Sequence, residues 1–488
     1  MNNPFTLTDF MAILPEMIIA GMGMVVVLVE MMGNGRDTRH LAYLTLLSFL
    51  AAGYAEFMLL GQNLTGFYGS MVADDFSIAI ELILLLVGVL TVLISMRYLA
   101  DRGMKNGEYY SLLLFATSGA MFMVSGRDLL MIFIGLEILS ISSYILCGFI
   151  QRDPRSNESA LKYFLLGAFA TGFLLYGMVM LYGATGSIKL LEIHTAVAGP
   201  AHGNPLVWLG LGLILVGFGF KIALVPFHMW TPDVYEGAPT AITAFLSTGP
   251  KAAGFAALAR ILVEALGSMQ VDWSQVLWFL AAVTMTVGNV IALQQNNIKR
   301  MLAYSSIAHA GYILVAIVAG GSEGMAGLVF YSAAYTLMNF GAFAILILAS
   351  DETQERLTFD DFRGFGYISP ALGVAMLIFM LSLAGIPLTA GFAGKFQIFK
   401  AAMSQGFVWL AVVGMLNSVV SIYYYLRLVV AMYMQPGTKT SVQSAPRPSA
   451  TLYVAVGLSM VGVLYLGILP ADWVELSLRS VQMLVAGR

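Results

Sequence analysis

The chain has 488 residues, 59% of them hydrophobic and only 10% charged, against about 25% charged for an ordinary soluble domain, which excludes a water-soluble globule. Lys plus Arg number 24 against 27 Asp plus Glu, a net charge of -3, so no charge excess points to nucleic acid. The only cysteine, Cys147, excludes an internal disulfide and any paired-cysteine metal or iron-sulfur spacing, and the five histidines are too scattered for a zinc or haem motif.

Since a helix needs about 20 apolar residues to cross about 30 Å of hydrocarbon, the apolar windows predict an all-α polytopic membrane protein of about 14 transmembrane helices. Their centres lie near Val25, Leu50, Leu86, Ala116, Leu139, Phe173, Val216, Ala252, Thr284, Ile313, Thr336, Leu383, Val420 and Met460. The first window has no Lys or Arg before Arg36, so it reads as a retained span rather than a signal peptide. Connections are short, leaving one membrane domain over 1–488 and no soluble one.

Glu30, Glu56, Glu81 and Asp128 fall toward span ends, where hydrated headgroups or neighbouring subunits accommodate them. The spans around Pro226 and Pro387 are interrupted by proline, which removes a helix hydrogen bond and breaks the segment. They are the seventh and twelfth spans, and their opposite directions predict two inverted five-helix repeats. The resulting sections are 1–110 (N-terminal helices), 111–268 (first repeat), 269–434 (second repeat) and 435–488 (C-terminal helix and tail).

Basic residues collect in alternate loops. One set holds Arg36, Arg39, Arg97, Arg102, Lys105, Arg152, Arg155, Lys299, Arg300, Arg356, Arg363, Lys439 and Arg447. The other holds chiefly Arg127, Lys189, Arg260, Lys400, Arg479 and Arg488. The richer set marks the cytoplasmic side, so both termini are expected on the outer, periplasmic face. The charged stretch Ser350 to Gly364, with Asp351, Glu352, Glu355, Asp360 and Asp361, reads as a solvated loop. Tyr423, Tyr424, Tyr425 and Arg427 read as an aromatic and basic anchor near the interface.

An ionisable group deep in a span costs a few kcal/mol on insertion scales, so each needs a partner, a cavity or a task. Glu137, Lys221, Lys251 and Lys395 lie inside apolar windows, and Lys162 begins the sixth span. A lysine exchanges protons near neutral pH only where its surroundings lower its proton affinity by about 4 kcal/mol. A carboxylate moving toward or away from it changes that affinity with no redox group nearby. Glu137 beside Lys162 or Lys221 therefore predicts a switchable proton carrier; the plainer reading is a static ion pair that fixes packing. His228 and His309 are candidate relays, or else side chains bonded to backbone carbonyls.

The run Lys221-Ile222-Ala223-Leu224-Val225-Pro226-Phe227-His228-Met229-Trp230-Thr231-Pro232-Asp233, continuing to Ala238-Pro239-Thr240, resembles the proton-conducting membrane family of complex I and the multisubunit cation/proton antiporters. Gly135-Leu136-Glu137, the segment Asn297 to His309, and Leu383 to Pro387 with Gly394-Lys395-Phe396 extend the resemblance over most of the chain. Chain length, the absence of a long C-terminal lateral extension and lysine at 395 favour one branch of the complex I subunits over its longer and its glutamate-bearing siblings.

The resemblance implies roles and company. Glu137 and Lys221 would form the modulating pair, Lys162 would assist, Lys251 would connect two half-channels and Lys395 would serve the second. The chain would be a non-redox, proton-translocating subunit of NADH:quinone oxidoreductase, without a catalytic redox site, cofactor or metal of its own. FMN, iron-sulfur clusters and quinone would lie elsewhere in the complex. Antiporter-like neighbours in the membrane arm, the peripheral redox arm and the lipid of a bacterial cytoplasmic membrane would be its partners. A sodium/proton antiporter subunit, a related membrane-bound hydrogenase subunit and a non-conducting scaffold are the competing readings.

Overall fold

A computed structural model describes residues 6–32, 39–104, 107–350, 355–437 and 449–486. Among the orientation-setting charges, Arg36, Lys105, Lys439, Arg447 and Arg488 lie outside the described residues, as do Asp351 and Glu352.

The described chain is helical apart from one small hairpin. It begins with α1 (Leu7–Ala12), α2 (Leu14–Met32) and α3 (Arg39–Leu59), followed by antiparallel β1 (Leu64–Gly66) and β2 (Met71–Ala73). Next come α4 (Asp75–Asp101), α5 (Glu108–Ser125), α6 (Leu129–Cys147), α7 (Pro154–Thr185) and α8 (Leu190–Ala198). The centre of the chain holds α9 (Pro205–Lys221), α10 (Trp230–Gly237), α11 (Thr240–Arg260), α12 (Gln270–Ala292), α13 (Ile298–Ala319) and α14 (Gly321–Ala349). The last helices are α15 (Phe365–Ile368), α16 (Pro370–Ala384), α17 (Ala390–Ser404), α18 (Val408–Met434), α19 (Ala450–Ile468), α20 (Pro470–Ser480) and α21 (Gln482–Ala486).

Helix starts are set by short polar side chains. Asp74, Asp128, Asp153, Asn204 and Asn297 each accept a backbone N–H of the first turn of α4, α6, α7, α9 and α13, satisfying donors that have no carbonyl partner there. Pro154 and Pro205 occupy the first helical position, where a missing N–H costs nothing. All the predicted span centres fall within helices. Among the described residues, ten helices are long and apolar enough to cross a membrane, or eleven when Asp360–Ile368 and Pro370–Ala384, bent by 119°, count as one.

Burial separates inner from outer helices. Along their apolar windows α13 and α14 are each 94% buried, against 28% for α2 and 33% for α7. Every residue of α11 is buried, and its many Ala, Gly, Ser and Thr side chains allow neighbouring backbones to come close. Outer helices instead expose large apolar groups, such as Leu161, Phe169 and Tyr176 on α7, which suits a surface covered by lipid or by neighbouring apolar helices.

Both proline-marked spans are broken: α9 stops at Lys221 with α10 starting at Trp230, and α16 stops at Ala384 with α17 starting at Ala390. The first break is tied down where Trp230 Nε1 donates to the Phe220 carbonyl at 2.9 Å and Val225 N donates to Thr284 Oγ1 at 3.0 Å. Pro250 remains inside α11. Lacking an N–H, it leaves the Leu246 carbonyl free, and the Tyr235 hydroxyl donates to that oxygen at 3.0 Å.

Three sequence expectations change here. Glu56 and Glu81 are only 1% and 3% exposed, because α3 packs on α2 and α4, and α4 on α5 and α11. Glu30 and Asp128 do act at helix ends, accepting from Gly107 N and Met131 N. Arg260, taken for a loop residue, is fully buried among Asp74, Glu264 and the Val124 carbonyl. The third change concerns Tyr424 and Tyr425, which are buried rather than anchored at an interface; of the three tyrosines only Tyr423 is exposed.

Candidate functional site

Lys221 ends α9 and is 4% exposed, its Nζ donating to Ser140 Oγ at 2.9 Å. Ser140 lies three residues after Glu137 on α6, so the two share a face. Half-buried Glu137 accepts from Thr171 Oγ1 of α7 at 3.0 Å and interacts with Lys221 through space rather than in a direct ion pair. A cavity of about 10 Å³ lined by Ser140, Tyr144, Thr171 and Lys221 lies at this junction, roughly the room one water needs. Lys221 and Ser140 line it together with Thr171, the residue that bonds Glu137.

Lys162 is placed elsewhere. Its Nζ meets Asp233 Oδ2 and Glu158 Oε1, both at 2.7 Å, and its side chain is 41% exposed. Arg300 joins the same acids' cluster through Asp233 and Glu236. Helix geometry explains this: Lys162 is in the third turn of α7, whereas Thr171, beside Glu137, is more than two turns further along.

Lys251, immediately after Pro250 on α11, is 2% exposed and donates to the Ser306 carbonyl at 2.8 Å and to Ser306 Oγ at 2.6 Å. It is linked in space to Lys221 through Gly254, one turn on, where an added Cβ would lie 3.5 Å from Lys221 Cγ. His309 is three residues after Ser306 on α13. It bonds the Tyr331 hydroxyl through Nδ1 at 2.7 Å and the Tyr425 hydroxyl through Nε2 at 3.0 Å, and Tyr425 in turn meets Ser305 Oγ. The His309 ring centre is 5.6 Å from that of Tyr312, so His309 is one turn from the Ser306 that Lys251 bonds and beside the ring that Lys395 approaches.

Lys395, 4% exposed, reaches back across the second break to donate to the Leu383 and Ala384 carbonyls at 3.0 and 3.1 Å. These are carbonyls of the last turn of α16, where a cation also meets the negative end of the helix dipole. Gly385 makes the approach possible. Its φ of +89° suits glycine, and a Cβ there would lie 3.0 Å from Lys395 Cδ. The Tyr312 ring centre is 4.6 Å from Nζ, within cation-π range.

Lys221, Lys251 and Lys395 therefore bond neutral oxygens only: a hydroxyl, carbonyls, or both. His228 stands apart, half-buried in the first break with Nδ1 lacking a partner. Among the described residues no group of three or more His, Cys, Asp or Glu side chains is placed to hold a metal ion.

At one end of the bundle a cavity of about 800 Å³ is lined by Tyr98, Arg102, Arg152, Glu236 and Glu355, among others. Glu355 ties this end together, accepting from Tyr98, Arg102 and Thr240 at 2.8, 3.0 and 2.8 Å and lying 3.6 Å from Lys299. Burial pushes its carboxyl up, yet Lys299 and Arg102 together with the hydroxyl donors hold it below its ordinary value. This part of the charged loop is a structural tie rather than a solvated segment.

Sequence reasoning missed Ser140, Thr171, Ser306 and Tyr331, and it set Tyr425 first as an interface anchor and only second on a proton path. The spacing of Ser306 and His309, and of Glu137 and Ser140, places each pair on one helix face, which was a usable signal. Thr171, Tyr331 and Tyr425 come from other helices, and no local pattern pairs them with their partners.

The comparisons with known proteins follow the same lines. The family described as NADH:quinone oxidoreductase/Mrp antiporter, TM, matches residues 126–421. The NADH-quinone oxidoreductase subunit N of Trichlorobacter lovleyi is 46% identical over 482 residues, covering 98% of each chain. A chain of respiratory complex I from Thermus thermophilus superposes with a TM-score of 0.80 at 36% identity, over 94% of this chain and 98% of that one. A chain of the Mrp complex from Dietzia shares the fold, with a TM-score of 0.85 over 98% of each chain, at 20% identity. Polytopic, α-helical and built on two broken helices, the chain belongs to the antiporter-like membrane family of NADH:quinone oxidoreductase and the Mrp antiporters. Within that family it falls with subunit N of NADH-quinone oxidoreductase.

Proposed function

We propose that this chain translocates protons as a membrane-arm subunit of NADH:quinone oxidoreductase, through Glu137, Lys221, Lys251, His309 and Lys395. The single observation that carries the reading is a buried succession of exchangeable groups. Lys221 lies beside the Gly254 turn of α11, Lys251 bonds Ser306, and His309, one turn on, packs against Tyr312, whose ring Lys395 approaches. Glu137, one helical turn before the Ser140 that Lys221 bonds and in electrostatic reach of that lysine, is the group whose movement alters lysine proton affinity. Lys162, held by two carboxylates, modulates from the surface cluster rather than by touching Glu137. His228 has no contact with the succession and takes no step in it.

In this reading each of the inverted repeats 111–268 and 269–434 holds one broken helix, with Lys221 at the first break and Lys395, from α17, reaching back to the second. Both termini face the periplasm in this reading, and the 800 Å³ cavity opens to the cytoplasm, where water reaches the tie at Glu355. Electron transfer through FMN, iron-sulfur clusters and quinone belongs to other subunits, and this chain contributes no redox step. Greater identity to N subunits than to the Mrp chain favours this over a sodium/proton antiporter.

Lys221→Ala and Lys395→Ala test it. Assembled complex carrying either change should oxidise NADH with a reduced number of protons pumped into vesicles per electron pair. Full pumping by both variants defeats the proposal.

A further inference from the structure

Away from the lysines, three buried carboxyl groups lie at the end of the bundle where α2 and α4 begin and α3 ends. Glu16 comes from the first turn of α2, Glu56 from the last turn of α3 and Glu81 from the second turn of α4. They are 1%, 1% and 3% exposed. The helices α2, α3 and α4 pack side by side, which puts the three acids at one end of the bundle in electrostatic reach of one another, and Glu16 Oε1 accepts from Ser125 Oγ at 2.7 Å. Glu16 Oε2, Glu56 Oε1 and Glu81 Oε1 are buried with no hydrogen-bond partner.

The charged groups around them leave nothing to balance these acids. Asp74, also in electrostatic reach of Glu81, bonds Arg260 at 2.9 Å; Arg260 bonds Glu264 at 2.7 Å, and Glu264 bonds Arg127 at 2.8 Å. Two acids and two bases there neutralise each other. On the other helices packed against α4, Glu323 of α14 pairs with Lys400 and Glu475 of α20 pairs with Arg479, both in exposed positions. Three adjacent carboxylates left ionised in a water-poor site would repel by several kcal/mol in addition to their desolvation cost. Two carboxyl groups can also hydrogen-bond each other only when one supplies an O–H. A cation is the other way to balance them, but no group of three such side chains among the described residues is arranged to hold a metal.

We infer that Glu16, Glu56 and Glu81 form a second proton-holding site, separate from Lys221, Lys251 and Lys395, which exchanges hydrogens with water at the end of the bundle where α2 and α4 begin. The site is built from α2, α3, α4 and α5, so it does not require the lysine succession to function.

Infrared spectroscopy of the whole complex in H2O and D2O tests this. In the unaltered complex, protonated carboxyl C=O bands that shift on deuteration are expected, and Glu81→Gln and Glu56→Gln should each remove or displace one. Glu56→Asp keeps the acid while shortening its reach; it should displace the band even if the amide variants do not assemble. Three results overturn the inference: a carboxyl region unchanged in the variants, bands that never exchange with D2O, or bands abolished by Na+ at constant pH, the last indicating a cation site instead.

Discussion

Replacing His309 probes the step between Lys251 and Lys395. His309→Ala leaves the buried Tyr331 hydroxyl without the nitrogen that it bonds at 2.7 Å, which costs about 1–3 kcal/mol. Tyr425 retains Ser305, so the loss there is nearer to about 1 kcal/mol. A destabilisation of about 2–4 kcal/mol is therefore expected, and it should appear as earlier thermal loss of the assembled complex. His309→Gln keeps two-ended hydrogen bonding, so it should recover most of that stability. It should not recover transfer, because an amide does not carry a proton as imidazole does. A positioned histidine contributes about 10²–10⁴-fold to a proton-transfer step, enough to make this step slower than turnover. The assay pairs NADH:quinone activity with vesicle acidification for each variant. A His309→Gln complex that pumps at the unaltered ratio would refute the role given to the imidazole.

Three further outcomes are expected. Gly385→Ala places a Cβ at φ +89° and 3.0 Å from Lys395 Cδ, costing about 1–2 kcal/mol for the left-handed conformation and displacing the amine; pumping should fall while NADH oxidation persists, measured in the same vesicles. Arg260→Leu strands Asp74 and Glu264 without their shared partner, worth about 3–5 kcal/mol, and should reduce assembled complex on native gels. Because Lys299 and Arg102 hold the Glu355 carboxyl below its ordinary value, its contribution is complete above the unfolded carboxyl range near pH 4.5 and disappears as pH falls through the lower folded value. Limited proteolysis should therefore open the 355–364 loop in acid but not at pH 7, and Glu355→Gln should open it at both.

The one-dimensional information in the chain located the helices well, since apolar run length and proline position act within a single segment. It also placed Lys221, Lys251 and Lys395 in the interior, because a base within an apolar window has few alternatives. It failed where the outcome depended on which helices meet. Glu56 and Glu81 do lie toward span ends, but neighbouring helices bury them; Arg260 looked like a loop base, but Asp74 arrives from a distant position to enclose it with Glu264. Lys162 and Glu137 were read as neighbours, yet more than two turns of α7 separate Lys162 from Thr171, which bonds Glu137. The tyrosines around His309 carried no local mark, since a buried and a membrane-surface tyrosine look alike in a sequence.

The choice of oxygens around the interior amines has a mechanical result. An ammonium and the neutral amine left after it gives up a hydrogen ion both retain N–H groups, so the Ser140, Ser306, Leu383 and Ala384 oxygens remain usable acceptors in either state. Unloading such a group requires no rearrangement of its cradle. At Lys162 the same event would leave Asp233 and Glu158 as facing anions short of a counter-charge. A Ser140→Asp replacement would impose that condition on Lys221, turning a reversible carrier into a locked pair.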